Sequence, residues 1–199
     1  MDGYQIITDS NTDFSPALAQ ELGVVIITME FTLSGASYLQ YPDERDLSNK
    51  SFYERIAAGE TTTTNQINAA TFIETFERYL QAGIDVLYIG FSSGLSGTFN
   101  GSRLVAQDLS QKYPDRRILA VDSLAASMGE GLLVYHAVMQ QRAGRTIDEV
   151  ASWVETNRNR LAHWFTVDDL NFLKRGGRVS GAAALFGTML GIKPVLHVD

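Results

Sequence analysis

Tyr88-Ile89-Gly90-Phe91-Ser92-Ser93-Gly94-Leu95-Ser96-Gly97-Thr98-Phe99-Asn100 is the stretch that decides the fold. A largely apolar run from Ile84 to Phe91 stops at Ser92. Serines, glycines and a threonine follow, and then a helical pattern takes over. This reads as a buried strand feeding a helix through a small, hydroxyl-rich turn. In an open parallel sheet such turns lie at the carboxyl ends of strands, where ligands bind. Glycine lets the backbone approach a ligand closely, and the free N–H groups that open the next helix favour an anion. The same residues also read as a plain polar loop capping a helix.

Outward from this stretch the pattern repeats. Gln5 to Thr8, Val24 to Met29 and Arg117 to Val121 read as further buried strands. Helices are predicted from Ser15-Pro16 to Leu22, through Phe72, Phe76 and Leu80, from Gly97 to Lys112, and from Ser127 to Ala143. Strand and helix alternating at this spacing implies βαβ units. The fold class expected is therefore α/β, a mainly parallel sheet flanked by helices. Three strands end in small polar clusters, Asp9-Ser10, Ser92-Ser93 and Asp122-Ser123, which suggests a shared rim. Ser34 to Asn49 reads as an irregular surface excursion, and Ser51 to Glu54 as a capping box. The run Thr61 to Thr64 reads either as an edge strand or linker or as a further source of hydroxyls for the rim.

After Gly144 the alternation breaks. Thr146 to Glu149 is a capping box, Leu161 to Val167 a strand, and Ser180 to Leu190 an apolar helix. The chain then ends in what reads as an unfinished strand, Lys193 to Asp199. Residues 1–145 are accordingly expected to form an N-terminal α/β domain, and 146–199 the start of a second, incomplete α/β domain.

Composition narrows the function. The chain has 199 residues, a formal net charge of -7 and no cysteine. An acidic chain is a poor binder of nucleic-acid backbone. Without cysteine there is no disulfide or thiolate chemistry. The N-terminus lacks the features of a signal peptide, and no apolar run approaches the ~20 residues of a membrane span. A soluble, cytoplasmic protein is expected. No metal-ligand spacing appears, and neither a P-loop nor a dinucleotide fingerprint is present.

Several motifs in order resemble the DegV family of bacterial lipid-binding proteins. They are Ile7 to Ser10, Thr63 to Gln66, Ser92 to Thr98, Asp122-Ser123, Val167 to Leu170, Leu173 to Arg178 and Ile192 to Leu196. The resemblance spans the chain. It implies one long-chain fatty acid bound between two α/β domains. It also implies presentation of that acid, in FakB-type members, to a soluble ATP-dependent fatty acid kinase that makes an acyl phosphate for phospholipid synthesis. No cofactor beyond the bound fatty acid is implied, and the phosphoryl transfer is expected on the separate kinase chain. This sequence departs from the family in two ways. Asn65 stands where the family's middle motif has serine, and the family's last third, with a histidine near the head group, has no counterpart here.

The residues suit that reading. Hydroxyls hold an anion without quenching its nucleophilicity as a buried arginine would. Thr63, Thr64, Ser92, Ser93, Ser96 and Ser10 are the candidates for the carboxylate. Leu124, Met128, Leu132, Phe186, Met189 and Leu190 are candidates for the apolar slot, or ordinary core. Arg175 and Arg178, with Gly176 and Gly177 between them, read as a partner or phosphate contact or as a solvated turn. Asp168 and Asp169 suggest a metal or acid–base pair less than they suggest a helix cap at Asp169. The alternative is a serine acyl hydrolase. Gly90-Phe91-Ser92-Ser93-Gly94 matches a nucleophile elbow, with Asp122 and His163 or His197 as its partners.

Overall fold

The computed structural model describes residues 3–167, 169–178 and 195–197. The predicted helix from Ser180 to Leu190, with its slot candidates Phe186, Met189 and Leu190, lies outside these residues, as does Asp168. By its internal contacts the chain divides into two units, Met1–Arg160 and Leu161–Asp199.

The first unit begins with β1 (Tyr4–Asp9), a 3-10 turn (Ser10–Thr12), α1 (Pro16–Leu22) and β2 (Val25–Ile27). The Ser15 hydroxyl caps α1 on the Leu18 N–H, and Gly23 closes it at φ 70. There follow β3 (Glu30–Leu33), β4 (Ala36–Leu39), α2 (Asn49–Ala57), β5 (Thr62–Thr64), α3 (Ala69–Leu80), β6 (Asp85–Gly90), α4 (Thr98–Lys112), β7 (Ile118–Asp122), α5 (Ser127–Arg142) and α6 (Ile147–Asn157). The capping box at Thr146 and Glu149 forms at the start of α6. That helix packs against α5 and β7 within the first unit.

Four strands make a wholly parallel sheet in the order β2-β1-β6-β7. Ile6 pairs with Leu87, and Leu87 with Leu119. Alternation along the strands feeds two cores. Ile6, Leu87, Ile89 and Val121 pack with Val134, Val138, Val150 and Val154 of α5 and α6 on one face. Ile7, Val86, Tyr88 and Ile118 pack with Phe72, Phe76, Val105 and Leu109 of α3 and α4 on the other. Both faces of the sheet are covered, which is why these strands read as continuous apolar runs rather than alternating ones.

The strand order locates the crevice. From β1 the chain winds outward to β2, and from β6 it winds the opposite way to β7. The switch point therefore lies beyond the carboxyl ends of β1 and β6, where Asp9-Ser10 and Ser92-Ser93 stand.

Two expectations need correction. Residues 34–49 are not wholly irregular. Glu30–Leu33 and Ala36–Leu39 form an antiparallel hairpin, with β5 on its other side in the order β4-β3-β5. Ser34 at φ 50 and Gly35 at φ 85 supply the two left-handed residues that a two-residue hairpin turn needs. The cap of α2 is Ser48, whose hydroxyl accepts the Ser51 N–H, rather than Ser51 itself.

In the second unit β8 (Trp164–Thr166) pairs antiparallel with β9 (Val195–His197), and α7 (Leu170–Arg175) lies between them in sequence. Asp169 caps α7 by accepting the Asn171 N–H at 2.8 Å.

Candidate functional site

The turn after β6 is built by its neighbours. Tyr88 is fully buried among Phe72 and Phe76, and its ring lies so close over Gly90 that any Cβ there would collide with it. Glycine at position 90 is thus a packing requirement, whether or not a ligand approaches. Tyr88 donates its hydroxyl to Asp9 Oδ2 at 2.7 Å, and the Phe91 N–H donates to the same oxygen at 3.1 Å. Asn11 donates twice to Asp9 Oδ1, from its main chain at 3.0 Å and from its side chain at 2.6 Å. Burial raises the Asp9 carboxyl above its usual range, while these four donors pull the other way.

The main-chain amides of the turn are spent internally. Ser92 N–H reaches Ala125 O at 3.0 Å, and Ser93 N–H reaches Asp122 Oδ1 at 3.1 Å. Gly94 N–H goes to Ser92 Oγ at 3.2 Å, and both Leu95 and Ser96 N–H go to Ser92 O at 3.1 Å. The amides of Ser92 to Ser96 are therefore taken, while α4 itself starts at Thr98 with no side-chain cap at Gly97.

The hydroxyls are not equivalent. Ser10 is buried and occupied, accepting the Met29 N–H at 3.0 Å and donating to Gln40 Oε1 at 3.2 Å. Ser92 is buried and caps Gly94. Ser96 Oγ accepts the Thr98 N–H at 3.2 Å and shares a hydrogen with Thr98 Oγ1 at 3.0 Å. Ser93 is partly exposed, and its hydroxyl has no hydrogen-bond partner among the described residues. Thr63 and Thr64 lie on β5 with exposed side chains. The Gln66 side chain covers Gly97 so tightly that a Cβ there would clash. The threonine strand thus runs on to the serine turn.

Arg175 ends α7 and Arg178 follows three residues later, both in the second unit. Both are exposed, and the Arg175 guanidinium lies over the Phe172 ring at 4.4 Å. Of the slot candidates in the first unit, Leu124 is half-buried, while Met128 and Leu132 are 58% and 45% exposed. With Tyr135, Met128 and Leu132 form an apolar stripe along α5 that starts at the same sheet edge as the serine turn. A shallow groove along α6, lined by Arg145, Asp148 and Trp153, includes none of the expected site residues.

Sequence reasoning missed three participants. The first is Asp9 as the acceptor that ties β1 to β6. The second is Arg158, whose Nη1 donates to the main-chain oxygen of Asp122 at 2.8 Å. The third is Glu130 in the first turn of α5. It is 0% exposed, accepts the Thr8 hydroxyl at 3.1 Å, and leaves Oε2 without a partner among the described residues. Only a charged residue in an otherwise apolar helical segment hinted at it. Burial, reinforced by Asp9, Asp13 and Asp122, pushes the Glu130 carboxyl well above the usual carboxylate range. Asp9 is held by four donors, Glu130 by one.

A folded-state pKa above the unfolded one means that the native state holds the extra proton. That stability is complete below the unfolded value and declines as pH rises toward the raised one. Glu130→Gln stays neutral throughout. Thermal unfolding at pH 5, 6.5 and 8 is expected to show the wild type losing ground to the variant as pH increases. Parallel curves would show that Glu130 is already charged in the fold.

The described hydrogen bonds of the Ser92 and Asp122 side chains go to main-chain amides. The Ser92 hydroxyl is engaged with Gly94 N–H, and Asp122 Oδ1 accepts the N–H groups of Ser93 and Leu124.

The model of the DegV family matches residues 4–199. A DegV domain-containing protein of Clostridium perfringens is 43% identical over 199 residues, which is 100% of this chain and 68% of that protein. A solved structure described as fatty acid binding of a DegV family protein from Thermus thermophilus superposes with a TM-score of 0.84 at 32% identity, covering 99% of this chain and 68% of that one. DegV of Bacillus subtilis, described as a fatty acid binding protein, superposes with a TM-score of 0.81 at 26% identity, covering 100% and 69% of the two chains.

Proposed function

This chain belongs to the DegV family, and from that premise we propose that it binds one long-chain fatty acid and presents the carboxylate to a partner fatty acid kinase. The observation that carries the reading is the unspent Ser93 hydroxyl at the switch point, next to an exposed apolar helix face. Ser93 and Thr64 hold the carboxylate in this reading, helped by Thr63 and Ser96. Ser92 and Ser10 shape the turn around them. The stripe of Met128 and Leu132 offers the acyl tail a surface to cover, as exposed apolar patches do. The Thermus and Bacillus relatives, both described as fatty acid binding, support the substrate class.

The site is non-catalytic in this proposal. Neutral hydroxyls orient the carboxylate and leave its charge available to attack a phosphoryl donor held by the kinase. Arg175 and Arg178 are the proposed contact with that partner or with phosphate. Residues 146–199 are proposed as the opening of a second α/β domain, although α6 packs with the first unit.

Native mass spectrometry of the purified protein, followed by organic extraction, tests the binding step. An acyl chain in near-stoichiometric amount is the expected result. A protein that carries no adduct and takes up no added oleate or palmitate would overturn the reading.

A further inference from the structure

We propose that Asp122 is a positioning residue that holds Ser93 in its binding geometry through a single carboxylate oxygen; this rests on the acyl-site reading above. Asp122 ends β7 and is 7% exposed. Its Oδ1 accepts the Ser93 N–H at 3.1 Å and the Leu124 N–H at 3.0 Å. Its main-chain oxygen accepts from Arg158 Nη1 at 2.8 Å, which fixes the residue from the α6 side. The two turns beyond β6 and β7 are also joined by Ser92 N–H to Ala125 O at 3.0 Å and by Ser123 N–H to Gly90 O at 3.1 Å. Those links fix the residues before and beside Ser93. The amide of Ser93 itself rests on Asp122.

Leu124 makes that rest a tense one. It has φ 49, a left-handed conformation that a branched, bulky residue rarely adopts. Its N–H bonds back two residues to the aspartate, as in an Asx turn. When the shared acceptor is removed, Leu124 is free to relax and the Ser93 amide loses its only described partner. The hydroxyl of Ser93 then points where the turn happens to carry it. The role needs an acceptor oxygen and not a charge, because both donors converge on Oδ1.

The chemistry of the acceptor separates this role from a merely electrostatic one. Asp122→Asn keeps an Oδ1 that can accept both amides, whereas Asp122→Ala keeps none. Amide hydrogen exchange at Ser93 and Leu124, read by NMR, and affinity for oleate are the two measurements. Asp122→Ala is expected to speed exchange at both amides by about tenfold or more and to weaken oleate binding by about tenfold. Asp122→Asn is expected to stay within about threefold of wild type in both. If Asp122→Ala does not fold, Asp122→Ser, whose shorter side chain cannot serve both amides, is expected to fall between the two. Wild-type behaviour of Asp122→Ala, or an Asp122→Asn as impaired as Asp122→Ala, overturns the proposal. If the wild type binds no oleate, the acyl-site reading fails. The exchange rates at Ser93 then still decide whether Asp122 holds the turn.

Discussion

Ser93→Ala is expected to weaken acyl binding by about ten- to a hundredfold, because a hydrogen bond to a charged oxygen is worth roughly 1.5–3 kcal/mol. The structure makes Ser93 the best placed of the rim serines to show this. Ser10 both donates and accepts within the fold, Ser92 is buried and accepts the Gly94 N–H, and the amides from Ser92 to Ser96 are taken. The tail's contact with apolar surface survives the substitution, so binding should weaken rather than vanish. Phosphoryl transfer by a cognate kinase should slow as well, since the carboxylate would be misaligned. Ser110→Ala, on an exposed position at the far end of α4, is the control and should change neither. Equal affinity and equal acyl phosphate formation in the two variants would remove Ser93 from the site.

Asp9→Ala is expected to cause the largest loss of stability. Two donors in the interior, the Tyr88 hydroxyl and the Phe91 amide, lose one shared acceptor, and Asn11 loses another. Tyr88 is 0% exposed, so its hydroxyl has no route to water. At about 1–3 kcal/mol for each unsatisfied buried group, the total is about 3–6 kcal/mol. That is a large part of the 5–15 kcal/mol typical of a domain, and it corresponds to a fall of roughly 10 °C or more in Tm. Tyr88→Phe alone should cost about 1–3 kcal/mol. The double variant should be less destabilised than the sum of the two, because removing the hydroxyl removes the group left unpaired. Chemical denaturation of the three proteins measures this. A loss below about 1 kcal/mol in Asp9→Ala would mean that water replaces the carboxylate.

The hairpin of β3 and β4 shows one limit of reading local patterns. Its signal was present, since Ser34-Gly35 is a turn dipeptide between two short runs that alternate weakly. The polar residues around it masked the strands, because a small sheet with exposed positions carries little hydrophobic periodicity. The placement of β5 beside β3 had no local signal, because pairing partners thirty residues apart are chosen by packing.

What the amino-acid order settled by itself was the alternation of apolar strands and capped helices, and with it the parallel sheet. Strand runs covered on both faces, Ser15-Pro16, Gly23 and the Thr146–Glu149 box are all short-range physics, written within a few residues of where they act. The motifs that mark the family are equally local. Only the tertiary structure decided which polar groups remain free. Asp9 meets Phe91 across 82 positions, Ser93 meets Asp122 across 29, and Thr8 meets Glu130 across 122. Each of those bonds depends on strand order and register, which no window of sequence contains. They take the amides of Phe91 and Ser93, while local bonds engage the Ser92 and Ser96 hydroxyls and the Ser93 hydroxyl stays partly exposed at the switch point of the sheet.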